Sequence, residues 1–259
     1  MENNKLIIVF SGTSDSVEII KLLLENKYSI IACVATDEGE KMLSTINNII
    51  IKNSRLDENN MINFFKDKKI FSVVDASHPY AENVSKIAMN VCKLFNINYI
   101  RYERPSEFSI NYYDKSILVE SYKEAVDYIN NMKGNVLITT GVNYINEYKR
   151  IFDFDKRVFV RILNNMNSFN RVKSIGLGNN NIISGDGRYT LQDNIDIIKK
   201  YNINILITKD TGKAGGFIEK MEACNFMNIF IIIIRRPILL YRNKTENIYD
   251  ILNLLSLKE

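Results

Sequence analysis

The segment Asp75-Ala76-Ser77-His78-Pro79-Tyr80-Ala81 puts the only histidine of the chain, a carboxylate and a phenol within seven residues. Histidine exchanges a proton near neutral pH and tyrosine can donate one, so His78 and Tyr80 are candidate proton donors. Asp75 can accept hydrogen bonds from a bound cofactor, or merely cap the turn through its own side chain. His78 can equally be a satisfied polar residue at a turn. The segment joins the apolar run Ile70 to Val74 to a helical pattern in which Val84, Ile87, Ala88, Val91, Cys92 and Phe95 share one face. Pro79 lacks an N–H and has a fixed φ, which suits the first helical position and places His78 at or near the N-cap. In an open α/β sheet such a junction lies at the carboxyl edge of the strands, where ligands bind.

Three further junctions have the same form. After the first apolar run comes Ser11-Gly12-Thr13-Ser14-Asp15-Ser16-Val17-Glu18. Gly12, Thr13 and Ser14, followed by a helix start, can hold a diphosphate on backbone N–H groups and the helix dipole. The dinucleotide fingerprint with three glycines is absent, and Asp15 with Glu18 can instead form a capping box. After the second run, Thr36, Asp37 and Glu38 can accept from a ribose diol and repel a 2′-phosphate, which leans toward NADH over NADPH, with NADPH still possible. The alternative is an ordinary acidic loop. A later buried run ends in Thr208-Lys209-Asp210-Thr211-Gly212-Lys213-Ala214-Gly215-Gly216-Phe217-Ile218-Glu219-Lys220. Gly215 and Gly216 allow close approach of backbone to a ligand, and the lysines can bind carboxylates or phosphates. It is not a Walker loop, because the required order of glycines and lysine is missing. A flexible turn is the alternative.

Composition bounds the classes. At 259 residues with 46% hydrophobic and 25% charged side chains, the chain suits a globular protein of two ordinary domains. The longest apolar run, Ile229 to Ile234, is too short to span a bilayer, and the N-terminus does not resemble a signal peptide. Cys33, Cys92 and Cys224 are odd in number and far apart, which argues against a disulfide framework or a metal site and for a cytoplasmic setting. A net charge of +4 without an arginine-rich run gives no nucleic-acid signature, but suits an anionic small molecule. Nothing fixes the oligomeric state, so a monomer or small homo-oligomer is expected.

The elements that must position these turns alternate. Strands are expected at Leu6 to Phe10, Ser29 to Val34, Ile49 to Lys52, Ile70 to Asp75 and Ile97 to Tyr102, with helices after the first, third and fourth of them. Pro105 ends that series, and Ser106 to Ser116 is the candidate linker. A second alternation has strands at Val136 to Thr139, Val158 to Ile162, Asn181 to Ser184, Ile203 to Thr208 and Ile229 to Ile234, and a final helix at Glu246 to Leu257. The expectation is an α/β protein of two Rossmann-like, doubly wound parallel-sheet domains with an interdomain cleft. Residues 1–110 would form the cofactor domain and 111–259 the substrate domain.

Together with Tyr102-Glu103-Arg104-Pro105, Thr139-Thr140-Gly141 and Arg236-Pro237, these blocks stand in the order and spacing of the precorrin-6A reductase family of cobalamin biosynthesis, which the chain resembles from about Lys5 to Pro237. The Asp75–Ala81 block and the block from Lys209 through Gly215-Gly216 to Glu219-Lys220 are the specific ones. One turn departs: Ser184-Gly185-Asp186-Gly187-Arg188-Tyr189 keeps the glycines of a family turn but not its proline and phenylalanine. The resemblance implies hydride transfer from NADH or NADPH to the macrocycle of precorrin-6A or its cobalt complex. It implies an anionic tetrapyrrole held by Arg104, Lys209, Thr211, Gly215, Gly216 and Lys220, with Arg101, Arg161 and Arg236 nearby. Arginine pairs carboxylates bidentately, which suits such a substrate. The proton would come from His78, Tyr80 or solvent. On the residues alone two other classes stay open: a non-catalytic nucleotide or metabolite sensor, and a methyltransferase binding S-adenosylmethionine at Gly12.

Overall fold

The computed structural model describes residues 5–106, 113–187, 189–212 and 215–256. Lys213, Ala214, Arg188, most of the expected linker and Leu257 lie outside them. The chain forms two units, Met1–Pro105 with Pro237–Glu259, and Ser106–Arg236.

The first unit begins with β1 (Leu6–Phe10), α1 (Ser14–Glu25), β2 (Ser29–Val34), α2 (Asp37–Leu43), β3 (Ile49–Asn53), α3 (Glu58–Phe65), β4 (Ile70–Asp75), α4 (Glu82–Leu94) and β5 (Asn98–Tyr102). The second holds β6 (Ser116–Val119), α5 (Tyr122–Asn130), β7 (Asn135–Ile138), a 3-10 turn (Ile145–Arg150), α6 (Phe154–Arg157), β8 (Val158–Leu163), α7 (Met166–Lys173), β9 (Ile182–Gly185), α8 (Leu191–Lys200), β10 (Ile203–Lys209), α9 (Phe217–Phe226) and β11 (Phe230–Ile234). The chain then returns to the first unit with β12 (Asn243–Thr245) and α10 (Asp250–Ser256).

Each sheet has six parallel strands, ordered β12-β5-β4-β1-β2-β3 and β6-β11-β10-β7-β8-β9. The second order repeats the first, with β7 in the place of β1 and β10 in the place of β4. Strands covered on both faces read as continuous apolar runs. In β1, Ile7 and Val9 pack with α1 and α10, whereas Ile8 and Phe10 pack with α3 and α4. Several helices pass directly into the next strand through a residue in the left-handed region: Lys27, Asn96, Asn202 and Asn228. Asparagine tolerates this conformation, so it closes helices where glycine often does.

The expected two-domain α/β architecture is present, but the expected boundary at the C-terminal end is not. The tail placed in 111–259 belongs to the first sheet, because β12 pairs with β5 from Asn243↔Ile100 to Thr245↔Tyr102. Two of the three prolines, Pro105 and Pro237, stand at the two crossings.

Candidate functional site

In each sheet the strand order reverses between two central strands, β1/β4 and β7/β10, and a crevice opens beyond their carboxyl ends at such a point. The expected site residues gather there.

In the first unit, Gly12 has φ +125°, a conformation that favours glycine, and a Cβ built on it would meet nothing within 4 Å. Thr13 caps α1: its hydroxyl accepts from the Ser16 amide at 3.2 Å and donates to Ala76 O at 3.1 Å. The second contact ties the β1 turn to the turn after β4. The capping box uses Thr13 and Ser16, not the expected Asp15 and Glu18. Of the four amides that a helix start leaves without intrahelical partners, those of Ser14 and Asp15 lie outside this box. Asp15 instead pairs with Arg104 at 2.7 Å. Arg104, expected on the substrate side, therefore sits beside the β1 turn, because the chain past β5 reaches the start of α1.

Thr36 caps α2, accepting from the Gly39 amide at 3.1 Å, so the stretch expected as a possible acidic loop is a helix start. Asp37 opens that helix and accepts from Asn53 Nδ2 at 2.9 Å.

Asp75 is the most enclosed group of the set, with its side chain 0% exposed and that of Arg101 1%. Its carboxylate pairs with Arg101 Nη1 at 2.9 Å and accepts from the Ser77 amide at 3.0 Å, Ser85 Oγ at 2.6 Å and Tyr99 OH at 2.6 Å. Burial alone would raise its pKa; the Arg101 charge and the three hydrogen bonds outweigh it and hold the carboxyl below its usual range. Asp75 thus has no surface to offer a ligand, which corrects its expected place among the cofactor contacts. Arg101 is likewise withdrawn from any ligand by the same pair, and its guanidinium faces the Tyr241 ring at 5.6 Å.

The next residues form a turn, with the Ala81 amide donating to His78 O at 2.8 Å. Pro79 occupies the second position of this turn, where its fixed φ is also favourable. α4 begins only at Glu82, and its N-cap is Ala81, so His78 is not the cap. His78 Nδ1 accepts from the Tyr80 amide at 3.2 Å, which places the proton of the neutral ring on Nε2. The two rings are 5.7 Å apart.

In the second unit, Lys209 closes β10 and is 9% exposed, with Nζ 5.9 Å from the Tyr122 ring. Desolvation pulls its pKa down to about 8. Tyr122 stacks on Tyr144 with centroids 4.3 Å apart, and Tyr144 is 44% exposed. Asp210 follows: it accepts from the Gly212 amide at 3.4 Å and pairs with Arg236 at 3.2 Å. Arg236 is therefore engaged within the unit. A Cβ on Gly215 would lie 1.9 Å from Thr211 Oγ1, so only glycine lets this loop close. Gly216, at φ +65°, caps α9. Lys220 Nζ donates to Gly215 O at 2.8 Å.

Sequence reasoning missed Tyr99, Ser85 and Tyr241 around Arg101 and Asn194 in the second unit, and it named Tyr189 and Glu219 only as members of their motifs, without a role. The Asx turn from Asp75 to Ser77 was visible locally, whereas its ion pair 26 residues away was not. Among the described residues no group of three or more His, Cys, Asp or Glu could hold a metal ion, and no helix is long and apolar enough to cross a membrane.

Comparison with known proteins agrees with this architecture. The family model described as precorrin-6x reductase CbiJ/CobK matches residues 6–256. A cobalt-precorrin-6A reductase of Methanococcus maripaludis is 34% identical over 252 residues, covering 96% of this chain and 98% of the relative. One of Priestia megaterium is 31% identical, covering 90% and 91%. A solved structure titled CobK precorrin-6A reductase superposes with a TM-score of 0.78 at 16% identity, covering 97% of this chain and 96% of that one, and so shares the fold. With nearly its whole length matched by the family model, this chain belongs to the precorrin-6x reductase family.

Proposed function

We propose that this chain reduces precorrin-6A, or its cobalt complex, to the corresponding precorrin-6B with a nicotinamide dinucleotide, as a step of cobalamin synthesis in the cytoplasm. The observation that carries the assignment of sites is the hydrogen bond from Thr13 to Ala76 O. It joins the glycine turn after β1 to the histidine turn after β4 at the strand-order reversal of the first unit.

The first unit fits a dinucleotide. Gly12, Thr13 and Ser14 would take the diphosphate, with open space at the Gly12 Cα and the Ser14 and Asp15 amides at a helix start. Arg104 neutralises Asp15, which would otherwise repel a phosphate. Thr36 and Asp37 would face the ribose, and the acids Asp37, Glu38 and Glu40 in the first turn of α2 support NADH over NADPH. The bound cofactor supplies the hydride. The protein orients and protects: Asp75 and Arg101 fix the turn that carries His78, and His78 Nε2–H is the proton source closest to that turn, with Tyr80 OH as the second. Three thiols held buried and unreactive, with the pKa of Cys33 and Cys92 pushed up to about 12, support a reducing compartment.

The second unit fits an anionic, planar macrocycle. Lys209, Thr211, Gly215, Gly216 and Lys220 surround its own carboxyl edge, and the Tyr122–Tyr144 pair offers an aromatic surface beside Lys209. Arg104 is not assigned to the substrate.

Titrating the protein with NADH and NADPH, and following dinucleotide oxidation on addition of cobalt-precorrin-6A, tests this reading. Turnover with higher kcat/KM for NADH is expected, and Asp37→Ala should narrow the preference. Equal or better kcat/KM with NADPH rejects the NADH assignment. Binding of either without turnover returns the chain to the sensor class, and binding of S-adenosylmethionine alone to the methyltransferase class.

A further inference from the structure

Arg161 on β8 and Lys220 on α9 are both buried, 9% and 6% exposed. Neither has an ion-pair partner among the described residues. Arg161 Nη1 donates to Asn194 Oδ1 at 2.7 Å, and the guanidinium lies over the Tyr189 ring at 4.0 Å. Lys220 donates only to a backbone carbonyl, Gly215 O. Both partners are neutral. Arg161 is near enough to act on Lys220: burial and then the Arg161 charge pull Lys220 down to about 7, and burial pulls Arg161 down to about 10. Buried charges in folded proteins are ordinarily paired, because an uncompensated one is costly. Here two like charges are buried together.

The surroundings hold spare polar groups. A Cβ built on Gly216 would come no nearer than 3.8 Å to Lys220 Nζ and Glu219 Oε2 and 4.0 Å to Tyr189 O. Glu219 Oε2 and Tyr189 OH are enclosed without hydrogen-bond partners. Glu219 faces the same space and partly offsets the cations, leaving one net positive charge and an acceptor that lacks a donor. Asn194 holds Arg161, and Gly216 at the start of α9 lies beside Lys220 and Glu219.

We propose that Arg161 and Lys220 form a second-unit site for one oxyanion group of a bound ligand, with Glu219 accepting from a ligand N–H or O–H beside it. Resting on the function proposed above, the group is either a side-chain carboxylate of the tetrapyrrole or a phosphate of the dinucleotide. Within that carboxyl edge Lys209 has its Nζ 5.9 Å from the Tyr122 ring, whereas Lys220 lies beside Gly216. An arriving anion would restore the proton to Lys220. Binding should therefore weaken as pH rises through about 7, where the empty site loses that proton. The charged and titratable groups that face Lys220 are Arg161, Glu219 and Cys224. Burial pushes the Cys224 thiol up and leaves Arg161 at about 10, so neither of these changes its charge near that pH.

The test uses Lys220→Met, which keeps the length and apolar stem while removing the charge. Thermal unfolding without ligand comes first. A lysine that serves only to hold Gly215 would lower Tm when replaced. A ligand-binding lysine whose burial is unfavourable leaves Tm unchanged or raises it. Calorimetry with NADH, NADPH and cobalt-precorrin-6A, each added separately between pH 6 and 9, follows. Affinity for one ligand class should fall about tenfold or more, and its pH dependence through 7 should flatten. Loss for the tetrapyrrole identifies a carboxylate, and loss for the dinucleotides identifies a phosphate. Unchanged affinity for all three in a folded variant overturns the site, as does a lowered Tm with unchanged affinity. If wild-type protein binds cobalt-precorrin-6A but never reduces it, the function fails while the site stands.

Discussion

In the first unit Asp75 closes β4, takes the amide two residues on, and pairs with Arg101 of the neighbouring strand. In the second, Asp210 follows β10, takes the amide two residues on, and pairs with Arg236 just past the neighbouring strand. The two aspartates hold equivalent places in sheets of the same order, yet they are built to different tightness. Asp75 is sealed by two further side-chain donors, Ser85 and Tyr99. The Asp210 pair lies at a rim, with Arg236 12% exposed and Ser106 donating from the segment that enters the unit. The preceding residue differs as well: Val74 is fully buried, where the second unit has Lys209. One topology therefore yields a rigid turn in one unit and, in the other, a desolvated cation beside a looser one. The first suits the placing of a proton donor, the second the holding of a polyanion.

The largest test of this contrast is stability. Asp75→Ala leaves the Arg101 cation buried and unpaired and should cost about 3–5 kcal/mol. Asp210→Ala leaves Arg236 near water and should cost only about 1–3 kcal/mol. Urea unfolding of the two variants measures both, and equal losses would erase the distinction.

A second contrast uses the glycines that follow the central strands. Gly12 and Gly141 have φ of +125° and +77°, and a Cβ on either would meet nothing within 4 Å. Valine strains both alike. Only Gly12→Val should weaken NADH, on the order of a hundredfold if two charge-assisted hydrogen bonds are lost. Calorimetry that finds the same loss in Gly141→Val, or none in a folded Gly12→Val, removes the diphosphate from the β1 turn.

The smallest effect is expected at Lys209. Lys209→Ala should raise the KM for cobalt-precorrin-6A about tenfold and leave NADH affinity nearly intact. Loss of NADH binding with the tetrapyrrole unaffected would mean that the ligands are assigned to the wrong units.

Long apolar strands such as β1, β4, β10 and β11 were legible because burial on both faces leaves an unbroken hydrophobic run. β12 was not: Asn243-Lys244-Thr245 is three residues at a sheet edge, half in water, with no apolar signal. α2 was hidden by the same feature that marks it, since Asp37, Glu38 and Glu40 look like an acidic loop until Thr36 is seen to cap them. Pro79 is compatible with both a helix start and a turn, and only the Ala81-to-His78 hydrogen bond decides between them. The turns themselves were readable as sites from residue type. Whether each charged group faces a ligand or another part of the protein was not, because the pairs Asp75–Arg101 and Asp15–Arg104 depend on strand register and on chain returning from a distance.

The excursion of the chain between Pro105 and Pro237 also sets an order of events during synthesis. Residues 6–102 leave the ribosome first, but their sheet keeps β5 as an unpaired edge until Asn243–Thr245 arrive. Until then Arg101 lacks its Tyr241 neighbour, and Asn98 lacks Leu254 O. The second unit is one uninterrupted stretch, so it has all its strands while the first still waits. The unit begun second is the one that can be finished first, and a message cut short after Arg236 would leave it whole and its elder neighbour incomplete.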